Sequence, residues 1–305
     1  MQTGSPSNVR RAVIITALRV EYDAVRAYLD HPTEESHKGT LYERGIFRTA
    51  QSTWEVGIAE IGANNPGAAA ETERAINYFD PDVAMFVGVA GGIKDLRLGD
   101  VVAATKVYGY ESGKADEEFK ARPDVGETSY ALQQRARAEG RKKDWIARIL
   151  PRPPGARRQP VALVAPIAAG EKVVASTRSP VYQFLRRQYN DAVAVEMEGR
   201  GFLRAMHANP DIQALVVRGI SDLVDEKEKT DAAGWQRKAS RHAGAFDFQS
   251  QAQYEGMRPG KNAPENSQTP LEILHSIPPP PANFIGRDQE LDELLQAHAA
   301  GIHIF

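Results

Sequence analysis

The 305-residue chain is 42% hydrophobic and 26% charged, an ordinary globular balance with enough length for one large α/β unit or two smaller domains. Its 38 Lys and Arg against 40 Asp and Glu leave a formal charge of −2, which argues against a nucleic-acid binder with a wholly basic surface. With no cysteine, disulfides, thiolate metal sites and thiol nucleophiles are excluded, and no apolar run has the length of a signal peptide or membrane span.

Residues 1–10 are polar and read as a flexible N-terminal tail. Ala12, Val13, Ile14 and Ile15 predict a short buried strand that ends at Thr16. Val20, Ala24, Val25 and Leu29 then recur at helical spacing. Alternating segments at 41–49 and 54–61 predict strands, with Gly39 and Gly45 as punctuation. A helix over 66–79 follows, then an apolar strand at 83–87 that runs into a glycine turn, Gly88-Val89-Ala90-Gly91-Gly92. Further β-like runs at 100–107, 161–167, 192–195 and 214–220 alternate with helices as far as Phe248. Such alternation predicts an α/β domain over 11–248 with a central parallel or mixed sheet. The expected location is the cytoplasm.

Residues 249–283 are rich in Gln, Asn, Ser, Gly and Pro and include the run Pro278 to Pro281, the composition of an extended linker. The stretch 284–305 beyond it is too short for a domain. Between Arg135 and Arg158 lie nine basic residues, Arg135, Arg137, Arg141, Lys142, Lys143, Arg148, Arg152, Arg157 and Arg158, against Glu139 and Asp144. That cluster reads either as a solvated helix and loop or as a surface that attracts phosphate or a partner.

In open α/β sheets, ligands sit beyond the carboxyl ends of the strands. Three predicted strand ends carry carboxylates here: Glu21, the pair Glu196 and Glu198, and Asp222. The glycine turn leads into no clear helix, so it is no dinucleotide fingerprint; its glycines suit a close approach of backbone amides to a ligand. Each carboxylate alone has an ordinary explanation, a helix first turn for Glu21 or an N-cap for Asp222. Together at one sheet edge they suit protonation of a leaving group, activation of water and stabilisation of a sugar cation.

The motifs Thr16-Ala-Leu-Arg-Val-Glu-Tyr-Asp-Ala-Val25, Val87-Gly-Val-Ala-Gly-Gly-Ile93 with Leu98-Gly-Asp-Val-Val102, Val195-Glu-Met-Glu-Gly199 and Arg218-Gly-Ile-Ser-Asp222 resemble the nucleoside phosphorylase superfamily. They are most similar to its methylthioadenosine/S-adenosylhomocysteine nucleosidase branch. The resemblance implies a three-layer fold with a central mixed β-sheet flanked by helices. It implies that Asp222 helps protonate N7 of a purine, with Ser221 beside it. Glu198 would hold the ribose 2′- and 3′-hydroxyls, Met197 would pack on the sugar next to Glu196, and Glu21 would position or deprotonate the attacking water. Val173 and Val174 would line the base pocket, near Gly91. No metal or organic cofactor is implied, and a homo-oligomer, dimer or larger, is.

Phosphorylases of this family place an arginine and a serine where Phe86 and Val89 stand, so water is favoured over phosphate as acceptor. Lys114, Lys120 and Arg122, in an insertion, are candidates to grip a 5′-phosphate, which would make the substrate a nucleotide such as AMP or ATP. The alternatives are a surface insertion, a phosphorylase with an atypical phosphate site, and a silent nucleotide-binding or oligomerisation module. His207 and His242 are read as packing or surface residues. Finally, Phe284-Ile-Gly-Arg-Asp-Gln-Glu-Leu291 resembles the opening of STAND-type NTPase domains, although no G-x-x-x-x-G-K-[ST] motif is present. That resemblance implies a truncated NLR-like bacterial protein, its NTPase and sensor domains missing, with a nucleosidase-like effector and an antiphage role.

Overall fold

The computed structural model describes residues 9–117, 119–122, 124–150, 158–225 and 227–255. The first strand, β1 (Arg10–Thr16), has Val13, Ile14 and Ile15 wholly buried, as a central strand covered on both faces requires. It is followed by α1 (Arg19–Arg26), the hairpin pair β2 (Asp30–His37) and β3 (Thr40–Arg48), and β4 (Thr53–Glu60). Helix α2 (Asn65–Phe79) starts on an Asn64 cap that accepts from the Gly67 amide, with Pro66 in its first turn, and stops at Asp80 in the left-handed conformation. Next come β5 (Val83–Gly92), β6 (Val101–Gly109), the short strands β7 (Gly113–Lys114), β8 (Lys120–Ala121) and β9 (Asp124–Glu127), and α3 (Tyr130–Lys142) with a 3₁₀ turn at Asp144–Arg148. The remainder is β10 (Ala162–Ala169), α4 (Pro180–Gln188), β11 (Ala194–Glu196), α5 (Gly199–His207), β12 (Gln213–Leu223), α6 (Lys227–Ala232) and α7 (Trp235–Ala252).

The sheet runs β11-β10-β6-β12-β5-β1-β4-β3-β2, with β9 beside β6, and it is mixed as expected. β1 lies parallel to β4 and β5, and β12 lies parallel to β5 but antiparallel to β6. One pairing goes beyond the expected layers. β11 also meets β5 antiparallel, through Ala194 with Gly92 and Val195 with Gly91, so β5, β12, β6, β10 and β11 form a ring. The ring brings the carboxyl ends of β5 and β11 together beside β12. Alternate strand residues feed two cores: Val13, Ile15 and Phe86 with Phe202 of α5 on one face, and Ile14, Met85 and Val217 with Phe246 of α7 on the other. Each such side chain contributes about 1.5–3 kcal/mol on burial.

Several expectations are corrected. The stretch from Gly88 to Gly92 is not a turn; it continues β5 and stays paired with β12, with one irregularity between Ala90 and Gly91. Strand β2, with the polar sequence DHPTEESH, showed no apolar alternation because it lies at the sheet edge with one partner only. The linker expected from 249 starts later, since α7 runs to Ala252 and buries Gln249, Ser250 and Gln251. Residues 256–283 of that segment, and 284–305, lie outside the described residues, as do residues 1–8 and 151–157, which include Arg152 and Arg157. In the basic region, Arg135 and Lys142 both pair with the fully buried Glu139, and Arg158 pairs with Asp100, so part of that charge is structural.

Helix α7 also buries Asp247 completely, with no hydrogen-bond partner at either carboxylate oxygen. Burial pushes this carboxyl from 3.8 up to about 8. Across that window the folded chain keeps a proton that the unfolded chain gives up, so the stability is complete below about pH 4 and falls as pH rises towards 8. Asp247→Asn is therefore expected to melt progressively higher than the wild type between about pH 5 and about pH 9. Parallel melting-temperature curves for the two proteins would remove the assignment.

Candidate active site

Helix α1 has no capping side chain at Leu18; Glu21, in its first turn, supplies the acceptor instead. One carboxylate oxygen of Glu21 accepts from the amides of Ala17 at 2.8 Å and Leu18 at 2.9 Å, and the other from Val89 of β5 at 2.8 Å. The helix-start explanation and the site explanation thus hold for the same residue, which is 2% exposed. Burial pushes its carboxyl upward, against the pull of Arg218 and the three amides.

Arg218 is the residue on which the site is built, and sequence reasoning passed over its chemistry. It sits mid-strand in β12, wholly buried, where its guanidinium pairs with Glu196 and, at 3.1 Å, with Glu198. The available signal was a single charge inside the apolar run 214–220. A Cβ at Gly88 would overlap both Arg218 Nη1 and Glu21 Oε1. Gly88 therefore makes room for this charge cluster, rather than for a ligand as expected. Glu196 accepts from the amides of Glu198 at 3.0 Å and Gly199 at 2.8 Å, at the positive end of α5. Both bonds go to Oε2, which also meets Arg218, and Oε1 accepts from the Gly199 amide at 3.0 Å, so Glu196 holds Arg218 and the start of α5. Burial pushes the Glu198 carboxyl up to about 8, with opposition from Arg218 and reinforcement by Glu196 and Glu21.

The part of the site that carries Ser221 and Asp222 is shaped by a β-bulge. Ile220 pairs with Ala90 and Asp222 with Gly91, so Ser221 is the extra residue. The break in alternation lets Ser221 and Asp222 both face one cleft. Ser221 Oγ donates to Asp222 Oδ2 at 2.9 Å, and a Cβ on Gly91 would lie 3.0 Å from Asp222 Oδ1. The cleft holds about 200 Å³. Its lining includes Glu21, Val89, Glu196, Met197 and Glu198 together with Gly91, Val173, Val174, Ser221 and Asp222. Leu18, Ala63 and Gln236, which the sequence motifs do not point to as site residues, also line it.

Two expectations are not met there. Phe86 is in the core, its ring 5.7 Å from Phe202 and under the Arg218 guanidinium at 4.5 Å. It supports the arginine, two of whose nitrogens lack hydrogen bonds, by a cation–π contact and does not line the cleft. Lys114, Lys120 and Arg122 do not line it either. Lys114 and Lys120 both pair with Asp116, at 3.3 and 3.0 Å, and the Arg122 amide donates to Ser112. His207 is exposed at the end of α5, and His242 packs near Trp145 and bonds to the Gly99 carbonyl at 2.6 Å. Among the described residues, no group of three or more His, Asp and Glu is arranged to hold a metal ion, and no helix is long and apolar enough to cross a membrane.

Residues 11–247 match the model of the phosphorylase superfamily. Among curated proteins, the chain is 28% identical over 237 residues to an ATP nucleosidase, Cap17, of Escherichia coli strain KTE188, covering 70% of this chain and 46% of that one. It is 25% identical over 241 residues to a 5′-methylthioadenosine/S-adenosylhomocysteine nucleosidase of Staphylococcus aureus strain JH9, covering 74% and 92%. The chain thus spans about half the length of the first of these relatives. Among solved structures, it superposes with a TM-score of 0.64 on a Helicobacter pylori 5′-methylthioadenosine/S-adenosylhomocysteine nucleosidase in complex with an amino-pyrrolopyrimidine-substituted pyrrolidinol, at 22% identity over 79% of this chain and 97% of that one. The native futalosine hydrolase of the same organism gives a TM-score of 0.64 at 21% identity, over 79% and 97%.

Proposed function

The chain belongs to the phosphorylase superfamily, and from that premise we propose that it is a purine N-ribosyl hydrolase that releases free base from an adenine-type nucleoside or nucleotide. The observation that carries this reading is the convergence of Glu21, Glu198 and Asp222 from three separate elements on one cleft, two of them around a buried guanidinium. In the reaction, water attacks C1′ of the ribose as the bond to N9 breaks and its electron pair leaves with the base. Asp222 hands a proton to N7, and Glu21 takes one from the water. Glu198 accepts from the 2′- and 3′-hydroxyls, and Met197 packs on the sugar. The upward shift of Glu21 makes it a stronger base, as its task requires.

Water is the acceptor in this reading because the cleft has little to offer phosphate. Arg218 is engaged by Glu196 and Glu198, and Lys172, on the rim, is bound to Glu111. Val89 is aliphatic, and Glu21 would repel an anion beside it. The similarity to an ATP nucleosidase supports a nucleotide such as ATP or AMP as substrate. With the base at Asp222 and the hydroxyls at Glu198, the 5′ group is left to the remaining lining residues, Leu18, Ala63 and Gln236 among them. Lys114, Lys120 and Arg122 would reach a 5′-phosphate only after a rearrangement of their hairpin.

The wider reading is a homo-oligomeric effector in the cytoplasm, joined to a STAND-type NTPase domain in an NLR-like antiphage protein. The resemblance of 284–291 and the greater length of the ATP nucleosidase relative support it. The biochemical test is chromatography of base released from ATP, AMP, adenosine and methylthioadenosine, each with and without phosphate. Equal release in both conditions is expected. A strict need for phosphate would make the protein a phosphorylase, and no release from any substrate would favour a binding module.

A further inference from the structure

The base wall and the ribose side of the cleft come from distant parts of the chain, and one side chain ties them together. Asn65, the first residue of α2, accepts through Oδ1 from the Gly201 amide of α5 at 2.8 Å. Its Nδ2 donates to Glu171 Oε1 at 2.8 Å and towards the Gly170 carbonyl at 3.4 Å. Glu171 opens the irregular loop that carries Val173 and Val174, whereas α5 is the helix whose N-cap is Glu198. The partners allow only one orientation of the amide, since an N–H needs the oxygen and a carboxylate needs the NH₂. α2 and α5 also cross closely here, because a Cβ on Gly201 would overlap the Asn65 backbone carbonyl.

The loop is anchored at Gly170, whose amide donates to the Glu196 carbonyl at 3.1 Å, and at the buried Val174, but Glu171, Lys172 and Val173 between them are exposed, Val173 at 60%. Polar ties hold it: Asn65 to Glu171, and Glu111 to the Glu171 amide at 2.9 Å and to Lys172. Those from Asn65 alone reach across to α5.

We propose that Asn65 is a positioning residue that sets the distance between the base wall and the ribose-hydroxyl site, so that base and sugar are held at once. The proposal rests on the N-ribosyl hydrolase reading. Asn65→Ala removes the tie and is expected to raise KM about tenfold with kcat nearly unchanged, the loss of one hydrogen bond to a charged group. Asn65→Asp keeps the acceptor for Gly201 but sets a carboxylate against Glu171, and its KM should rise further. Combining Asn65→Asp with Glu171→Gln restores a donor and an acceptor with their roles exchanged, and KM should return towards the wild-type value. A role limited to stability would lower the melting temperature of the single variants without this rescue of KM.

Calorimetric titration with adenosine runs beside the turnover assay on the full chain. Unchanged KM and affinity in Asn65→Ala, or failure of the exchange to restore them, overturns the proposal. A wild type that binds adenosine but releases no base overturns the hydrolase reading alone, and weaker binding by Asn65→Ala then still supports the positioning role. A wild type that neither binds nor cleaves overturns both.

Discussion

Asp222→Asn is expected to lower base release by about a thousandfold, the usual worth of a positioned general acid, without disturbing the fold. The amide matches the carboxylate in shape and still accepts from Ser221 Oγ, which lies 2.9 Å from Asp222 Oδ2. It can also donate a hydrogen bond towards N7 of a bound purine, so KM should change little. It cannot hand over a proton, so the loss should fall on kcat. The base would then have to leave as an anion from a cleft already ringed by Glu21, Glu196 and Glu198. Steady-state kinetics with the preferred substrate, beside thermal melts of both proteins, decide the matter. Near-wild-type kcat in a folded Asp222→Asn protein would remove the residue from the chemistry and with it the reading of the bulge at Ser221.

Arg218→Met is expected to abolish turnover and to cost about 3–5 kcal/mol of stability, the penalty for a buried charge pair that loses one member. The methionine fills the space over Phe86 but leaves Glu196, Glu198 and Glu21 without the charge that balances them. The sign of the pH dependence follows. Without the guanidinium the buried carboxyls hold their protons more tightly in the folded chain than in the unfolded one, so the deficit should grow as pH rises above about 4. Adding Glu196→Gln should recover part of the stability and none of the activity. Urea denaturation at about pH 5 and about pH 8 makes both comparisons. A pH-independent deficit would mean that packing over Phe86, and not charge balance, is what Arg218 provides.

Phe86 shows why charge clusters of this kind are hard to see in one dimension. As a residue in an apolar strand its neighbour across the sheet is invisible. Its ring faces an arginine 132 positions away because β5 and β12 pair in register, Phe86 beside Val216.

Local patterning was enough for the α/β alternation, the apolar central strands and the placing of Glu21, Glu196, Glu198 and Asp222 at strand ends, which line one cleft. Buried strands announce themselves as apolar runs and amphipathic helices by their period, and both signals are carried by near neighbours in the chain. The polar edge strand β2 escaped because an edge exposed to water needs no apolar face. The glycines of β5 read as a turn because their partners, Arg218, Glu21 and Asp222, are distant in sequence. The bulge at Ser221, the closure of β11 on β5 and the two-way grip of Asn65 likewise depend on pairing between remote segments. Composition and local pattern specify which ionisable groups are present and on which kinds of element they lie. Tertiary structure alone decided which of them share one desolvated guanidinium, because burial and charge proximity are properties of three-dimensional neighbours.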